Sequence, residues 1–144
     1  MQITMLGSGA WGTALANLLC ENGYKVVLWN RSSGRAREMM QTRKNPRLEG
    51  VLLHPEMIVT SELSAVRESG MVVFATPSFA IRETAALVKP LLRKAVLLVS
   101  VTKGIEAETG LRMTQIIEQE TGIRAAALSG PSHAEEVSAA GLPS

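Results

Sequence analysis

Three glycines, Gly7, Gly9 and Gly12, stand between an apolar run from Gln2 to Leu6 and a stretch from Thr13 to Glu21 with helix-spaced apolar residues. Each has a separate use if the turn holds a pyrophosphate. Gly7 permits the tight turn out of a strand, Gly9 lets backbone approach a phosphate where a Cβ would intrude, and Gly12 lets the helix press on the sheet. A helix beginning near Ala10 aims unpaired N–H groups and its positive dipole end at the same anion. A merely flexible turn accounts for one such glycine, not for three at these intervals behind an apolar strand. A nucleoside-triphosphate loop needs Gly-Lys followed by Ser or Thr, and no such run occurs. None of the 13 acidic residues is aspartate, which removes the usual magnesium-holding partner. A dinucleotide fits better than ATP.

The second strand should end in an acid where an adenosine ribose carries a free 2′-hydroxyl. Here it ends in Trp29-Asn30-Arg31. Asn30 can still hydrogen-bond a ribose without repelling a 2′-phosphate, and Arg31 can grip that phosphate bidentately. NADPH is therefore expected, with NADH as a second cofactor. The plainer alternative makes Arg31 one of the solvated cations of a basic stretch that includes Arg35, Arg37, Arg43, Lys44 and Arg47.

Ligands of such sheets lie beyond the carboxyl ends of the strands. That directs attention to Thr76-Pro77-Ser78, Thr102-Lys103-Gly104 and Ser129-Gly130-Pro131-Ser132. Pro77 would shape a turn, with Ser78 and Phe79 bordering a cofactor, although Phe79 suits ordinary packing equally. Lys103 follows Val99-Ser-Val-Thr102, where an ammonium is poorly placed for a core. It is either a solvated cap or a group that holds an anionic substrate and polarises an oxygen beside a nicotinamide. Cys20, on an apolar helical face, reads as core filling. One cysteine forbids an internal disulfide and suits the cytoplasm. His54 and His133 lack ligand spacing with it, so no metal site is expected. His133 lies near a candidate strand end, but Glu135 and Glu136 beside it also suit a solvated helix start.

The elements that must position these residues alternate along the chain. Strands are expected at Gln2 to Leu6, Tyr24 to Trp29, Met57 to Thr60, Gly70 to Ala75, Ala95 to Ser100 and Ile123 to Leu128. Helices are expected from near Ala10 to Glu21, from Ser32 or Ser33 to Arg43, and from Ser61, as cap, to Glu68. Further helices are expected from Ser78 or Phe79 to Val88, from Thr109 to Thr121, and beginning at Ser132. Asn45 to Glu56 looks irregular. The runs at Gly70 to Ala75 and Ala95 to Ser100 are apolar on both faces, as central parallel strands are. Six strands with helices between them imply an α/β fold. Its form is a Rossmann-type, doubly wound, mostly parallel sheet in a three-layer αβα arrangement. At 144 residues this is one domain with a real core. No apolar run reaches the roughly 20 residues of a membrane span, so no membrane insertion is expected. No basic leader precedes the first strand. A net charge of +2 and 3% aromatic residues tell against nucleic acid as a partner. The chain stops after Ser132 to Ala140 without an obvious last element, which suggests a piece of a longer polypeptide.

Five segments together resemble the amino-terminal domain of the bacterial NAD(P)-dependent glycerol-3-phosphate dehydrogenases. They are Gly7-Ser-Gly-Ala-Trp-Gly-Thr-Ala14, Val27-Leu-Trp-Asn-Arg31, Ala75-Thr-Pro-Ser78, Thr102-Lys-Gly-Ile-Glu-Ala-Glu-Thr-Gly110 and Ser129-Gly-Pro-Ser-His-Ala-Glu-Glu-Val137. The first is shared with many dehydrogenases, and the last two are far more specific. The resemblance implies an oxidoreductase that reversibly reduces dihydroxyacetone phosphate to sn-glycerol 3-phosphate for phospholipid synthesis. It implies that Ala10 and Trp11 line the cofactor and that Arg31 meets its adenosine end. It further implies that Lys103 touches cofactor and substrate, that Gly130 and Ser132 border the glycerol-phosphate site, and that Ala134 lies on the nicotinamide side. Position 10 is often serine in the family, so a hydroxyl contact is missing here. Family members continue into a helical carboxyl-terminal domain that supplies a second lysine, much of the phosphate grip and a possible homodimer contact. Residues 1–144 would then bind cofactor with little or no turnover alone. Two other readings stay open at this point: a related dehydrogenase of a hydroxy acid or sugar acid, and a non-catalytic NAD(P)-binding interaction module.

Overall fold

The computed structural model describes residues 1–128. Gly130, Ser132, Ala134 and the helix expected from Ser132 lie outside them. Six strands form one sheet in the order β3-β2-β1-β4-β5-β6, and every neighbouring pair is parallel. They are β1 (Gln2–Leu6), β2 (Lys25–Trp29), β3 (Ile58–Thr60), β4 (Ser69–Phe74), β5 (Leu97–Ser100) and β6 (Ala125–Ala127). Chain order reverses between β1 and β4. This is the doubly wound arrangement expected, with a crevice where the connections diverge.

The helices α1 (Ala10–Glu21), α2 (Ser33–Thr42), α3 (Ile81–Val88) and α4 (Met113–Thr121) cover the two faces. Successive strand residues point to opposite faces, so the central strands supply two cores. Ile3, Met5, Val26, Leu28 and Val73 pack with Ala16 and Cys20 of α1 and with Ala36 and Met39 of α2. Leu6, Trp29, Val72, Phe74 and Leu98 pack with Ile81 and Ala85 of α3 and with Ile116 and Ile117 of α4. Cys20 fills core, as its apolar surroundings suggest, and burial first, then nearby Glu56 and Glu21, push its thiol up to about 11. None of the helices described is long and apolar enough to cross a membrane.

Several boundaries differ from the sequence expectation. The segment after β3 is a 3-10 helix, Leu63–Glu68, and Ser61 does not cap it; its N-terminal flank is Glu62, without a side-chain bond. Ser61 instead accepts the Trp29 indole N–H through its carbonyl at 3.0 Å. The connection must climb the height of the sheet in few residues, and a 3-10 helix advances about 2.0 Å per residue against about 1.5 Å for an α-helix. The helix expected from Thr109 starts only at Met113, because Glu106 and Leu111 close a turn first, with Gly110 at φ +71°. Gln115 Oε1 then accepts the Arg112 N–H at 2.8 Å. A 3-10 turn, Ser78–Ala80, precedes α3 in place of its expected first turn. The 45–56 stretch is irregular, as expected, yet it buries Asn45, Leu48 and Leu53.

Candidate functional site

The glycine turn leaves β1 at the reversal point of the sheet, and each glycine there meets a different surrounding. Gly7 has φ +123°, and a Cβ on it would lie 2.6 Å from the Ala75 carbonyl oxygen and 2.9 Å from the Thr76 nitrogen. The turn is therefore pressed onto the end of β4. A Cβ on Gly12 would lie 2.8 Å from the Gly7 oxygen and 3.0 Å from the Ala75 Cβ, so α1 is held close by the same contact. Gly9 is the exception. A Cβ there meets nothing within 4 Å, so the turn offers bare backbone to open space.

Gly9 is also the N-cap of α1, with no side-chain cap and no acid in the first turn. The first intrahelical bond runs from Thr13 N–H to the Gly9 carbonyl, 3.0 Å. The amides of Ala10, Trp11 and Gly12 are thus not used by the helix and carry its positive end. Thr76 adds a buried hydroxyl without a hydrogen-bond partner among the described residues. A cradle that side chains leave open, ringed by uncapped amides, suits a phosphate bridge.

The turn is braced from the side by Asn30 and by two residues that local sequence signals did not single out, Asn45 and Leu48. Asn45 Nδ2 donates to the Ser8 carbonyl and to Thr13 Oγ1, both at 2.8 Å. Leu48 packs with Ala14, and the partly buried Ala10 and Trp11 join them. Asn30 uses both ends of its amide: Nδ2 donates to Ser8 Oγ, and Oδ1 accepts the Ser32 N–H at 2.8 Å. It links the glycine turn to the start of α2, and one Nδ2 proton remains for a ribose. Arg31 is in an exposed ion pair, Nη2 to Glu83 Oε1 at 2.7 Å. Of the basic stretch, Arg43 is structural, donating to the carbonyls of His54 and Met57. Arg35, Lys44 and Arg47 line a cavity of about 980 Å³ that Ser8 and Asn30 also border.

The ends of β4 and β5 come together on the other side of the turn. Thr102 Oγ1 donates to the Thr76 carbonyl at 2.6 Å. Gly104, at φ +132°, sits where a Cβ would be 3.5 Å from that of Ser78. Lys103 between them is exposed, beside the turn that Pro77 opens. Phe79 is 87% exposed, so the packing role that suited its residue type is not the one it has. Three residues past Lys103, Glu106 takes both arms of the Arg82 fork, at 2.9 and 2.7 Å, and accepts the Thr109 hydroxyl. Arg82 also reaches Glu120 and Gln119, so its guanidinium fastens the 103–106 segment to α3 and α4. The fork holds the Glu106 carboxyl down at about 2 and raises Arg82 beyond its ordinary value.

Residues 2–143 match the family model described as "NAD-dependent glycerol-3-phosphate dehydrogenase N-terminus". The chain belongs to that family. A curated member from Moorella thermoacetica, named glycerol-3-phosphate dehydrogenase [NAD(P)+], is 46% identical over 98% of this chain and 42% of its own length. One of the same name from Pelotomaculum thermopropionicum is 44% identical over 94% of this chain and 41% of its own. The crystal structure of glycerol-3-phosphate dehydrogenase from Coxiella burnetii superposes with a TM-score of 0.87 at 32% identity. It covers 96% of this chain and 43% of that one. The chain spans about two-fifths of the length of these curated relatives. It is the amino-terminal, Rossmann-type domain of the glycerol-3-phosphate dehydrogenase family.

Proposed function

We propose that this chain binds NADPH and NADH, and that it is the cofactor half of an enzyme reversibly reducing dihydroxyacetone phosphate to sn-glycerol 3-phosphate. The observation that carries the reading is the uncapped α1 terminus at Gly9, open to solvent where Gly7 and Gly12 are closed by Ala75. Gly9, Ala10, Trp11 and Gly12 receive the pyrophosphate on backbone, and Gly7, whose own N–H is held by the Trp29 carbonyl at 3.1 Å, makes the turn that brings them to the cofactor. Asn30 bonds the adenosine ribose, and Arg31 takes a 2′-phosphate where there is one. Pro77 and Phe79 border the cofactor, and the exposure of Phe79 leaves its ring available for stacking. When bound, the dinucleotide supplies a hydride from its nicotinamide ring.

Lys103 orients the phosphorylated substrate and stabilises charge developing on its carbonyl oxygen. The proposed roles of Gly130 and Ser132 at the substrate and of Ala134 at the nicotinamide rest on the family resemblance. The second lysine, the rest of the phosphate grip and any homodimer contact belong to a helical carboxyl-terminal domain, so this chain alone turns over little or no substrate. A single buried cysteine supports a cytoplasmic setting. Calorimetric titration of the chain with NADPH and with NADH tests the central claim. Saturable binding of one molecule per chain is expected. Absence of heat and of any change in unfolding midpoint with both dinucleotides would overturn it.

A further inference from the structure

The Arg31–Glu83 ion pair joins two strand ends that are not neighbours. Arg31 follows β2, while Glu83 lies in the first turn of α3, which follows β4. β1 stands between those strands, which places them about 10 Å apart at ordinary strand spacing. The pair therefore bridges over the end of β1, where the glycine turn begins. Both side chains are about three-fifths exposed, 62% and 63%, so the bridge is a surface contact that a better ligand can part. Asn30, the residue before Arg31, is tied to Ser8 of the glycine turn. A ribose seated at Asn30 thus presents its 2′ substituent to Arg31.

Resting on the cofactor reading above, we infer that Glu83 is a specificity-determining residue that disfavours NADPH relative to NADH by occupying the Arg31 guanidinium. A carboxylate and a phosphate compete for the same planar fork of N–H donors. NADPH must displace the Glu83 carboxylate from Arg31 before its 2′-phosphate can take the guanidinium. NADH brings no anion to this point and leaves the bridge standing. The penalty falls on the phosphorylated cofactor alone, and its size is set by one exposed side chain on the far side of the crevice.

The test is a set of calorimetric titrations of NADPH and NADH on the chain carrying Glu83→Gln, Arg31→Ala or both, with Glu21→Gln as a charge control. Glu21 ends α1, remote from the crevice, and is exposed. Glu83→Gln is expected to tighten NADPH roughly fivefold while NADH shifts by less than about twofold, the range for parting an exposed pair. The gain disappears when Arg31 is also alanine, and it shrinks as salt is raised. Glu21→Gln leaves the ratio of the two dissociation constants as in the parent chain. Equal shifts for both cofactors, no shift, a loss for NADPH, or a gain that survives removal of Arg31 would each overturn the role of Glu83. Failure of the unsubstituted chain to bind either cofactor would instead overturn the cofactor reading on which it rests.

Discussion

At the scale of single residues, the glycine turn separates two demands that one spacing pattern carries together. Gly7→Ala meets the Ala75 carbonyl and a φ of +123°, so it should destabilise the chain by about 2–4 kcal/mol in denaturant unfolding. Gly9→Ala enters open space at φ −66° and should change stability by less than about 1 kcal/mol. Its expected cost is to the ligand: dinucleotide affinity falls roughly tenfold or more, because the added methyl stands where backbone should meet the phosphates. A variant that unfolds easily or still binds at parental affinity would contradict this division. Arg31→Ala should weaken NADPH far more than NADH in the same titrations, and equal losses would make Arg31 only a solvated cation. The tight turn at Gly7, the open backbone at Gly9 and the close helix approach at Gly12 were legible from type and spacing. Asn45 and Glu83 were not, since their partners lie 32 and 52 residues away and no local pattern marks them.

At the scale of elements, the loop carrying Lys103 depends on a cation from another helix. Arg82 of α3 fixes Glu106, and Glu106 in turn fixes Thr109 ahead of α4. The folded Glu106 carboxyl lies at about 2, below its ordinary 4.5, first because of the Arg82 fork and then because of the Thr109 hydroxyl. A depressed acid contributes stability that is full above its unfolded value and lost as pH falls through the folded one. Glu106→Gln should therefore lower the urea midpoint at neutral pH, with the gap to the parent chain closing as pH falls from 4.5 towards about 2. A gap constant across that window would exclude the ion pair as its source. The apolar spacing of Leu111, Ile116 and Ile117 revealed the helix here but placed its start four residues early. Gly110 and the Glu106 turn interrupt a pattern that periodicity alone runs through. The strands at β4 and β5 were easier to read, because only buried parallel strands need apolar residues on both faces.

At the scale of the whole molecule, binding to the folded chain alone must appear as stability. NADPH at about 100 times its dissociation constant should add about 2.7 kcal/mol. For a domain of this size that corresponds to an unfolding midpoint raised by roughly 5–15 °C. An unchanged midpoint under saturating cofactor would count against a ligand-ready crevice. The alternation of apolar runs with helix-period stretches determined by itself that an open parallel sheet must form with helices on both faces, since neither element can bury its apolar surface otherwise. The glycine spacing likewise marked the uncapped amino end of α1 and the open backbone at Gly9. Only the tertiary structure decided which side chains close around that end. It set β1 between β2 and β4, brought Asn45 beneath Ser8, clamped Glu106 with Arg82 and spanned the crevice with Arg31 and Glu83. Periodicity is a property of neighbours along the chain, whereas these pairings depend on distances through space that exist only once the sheet has been assembled.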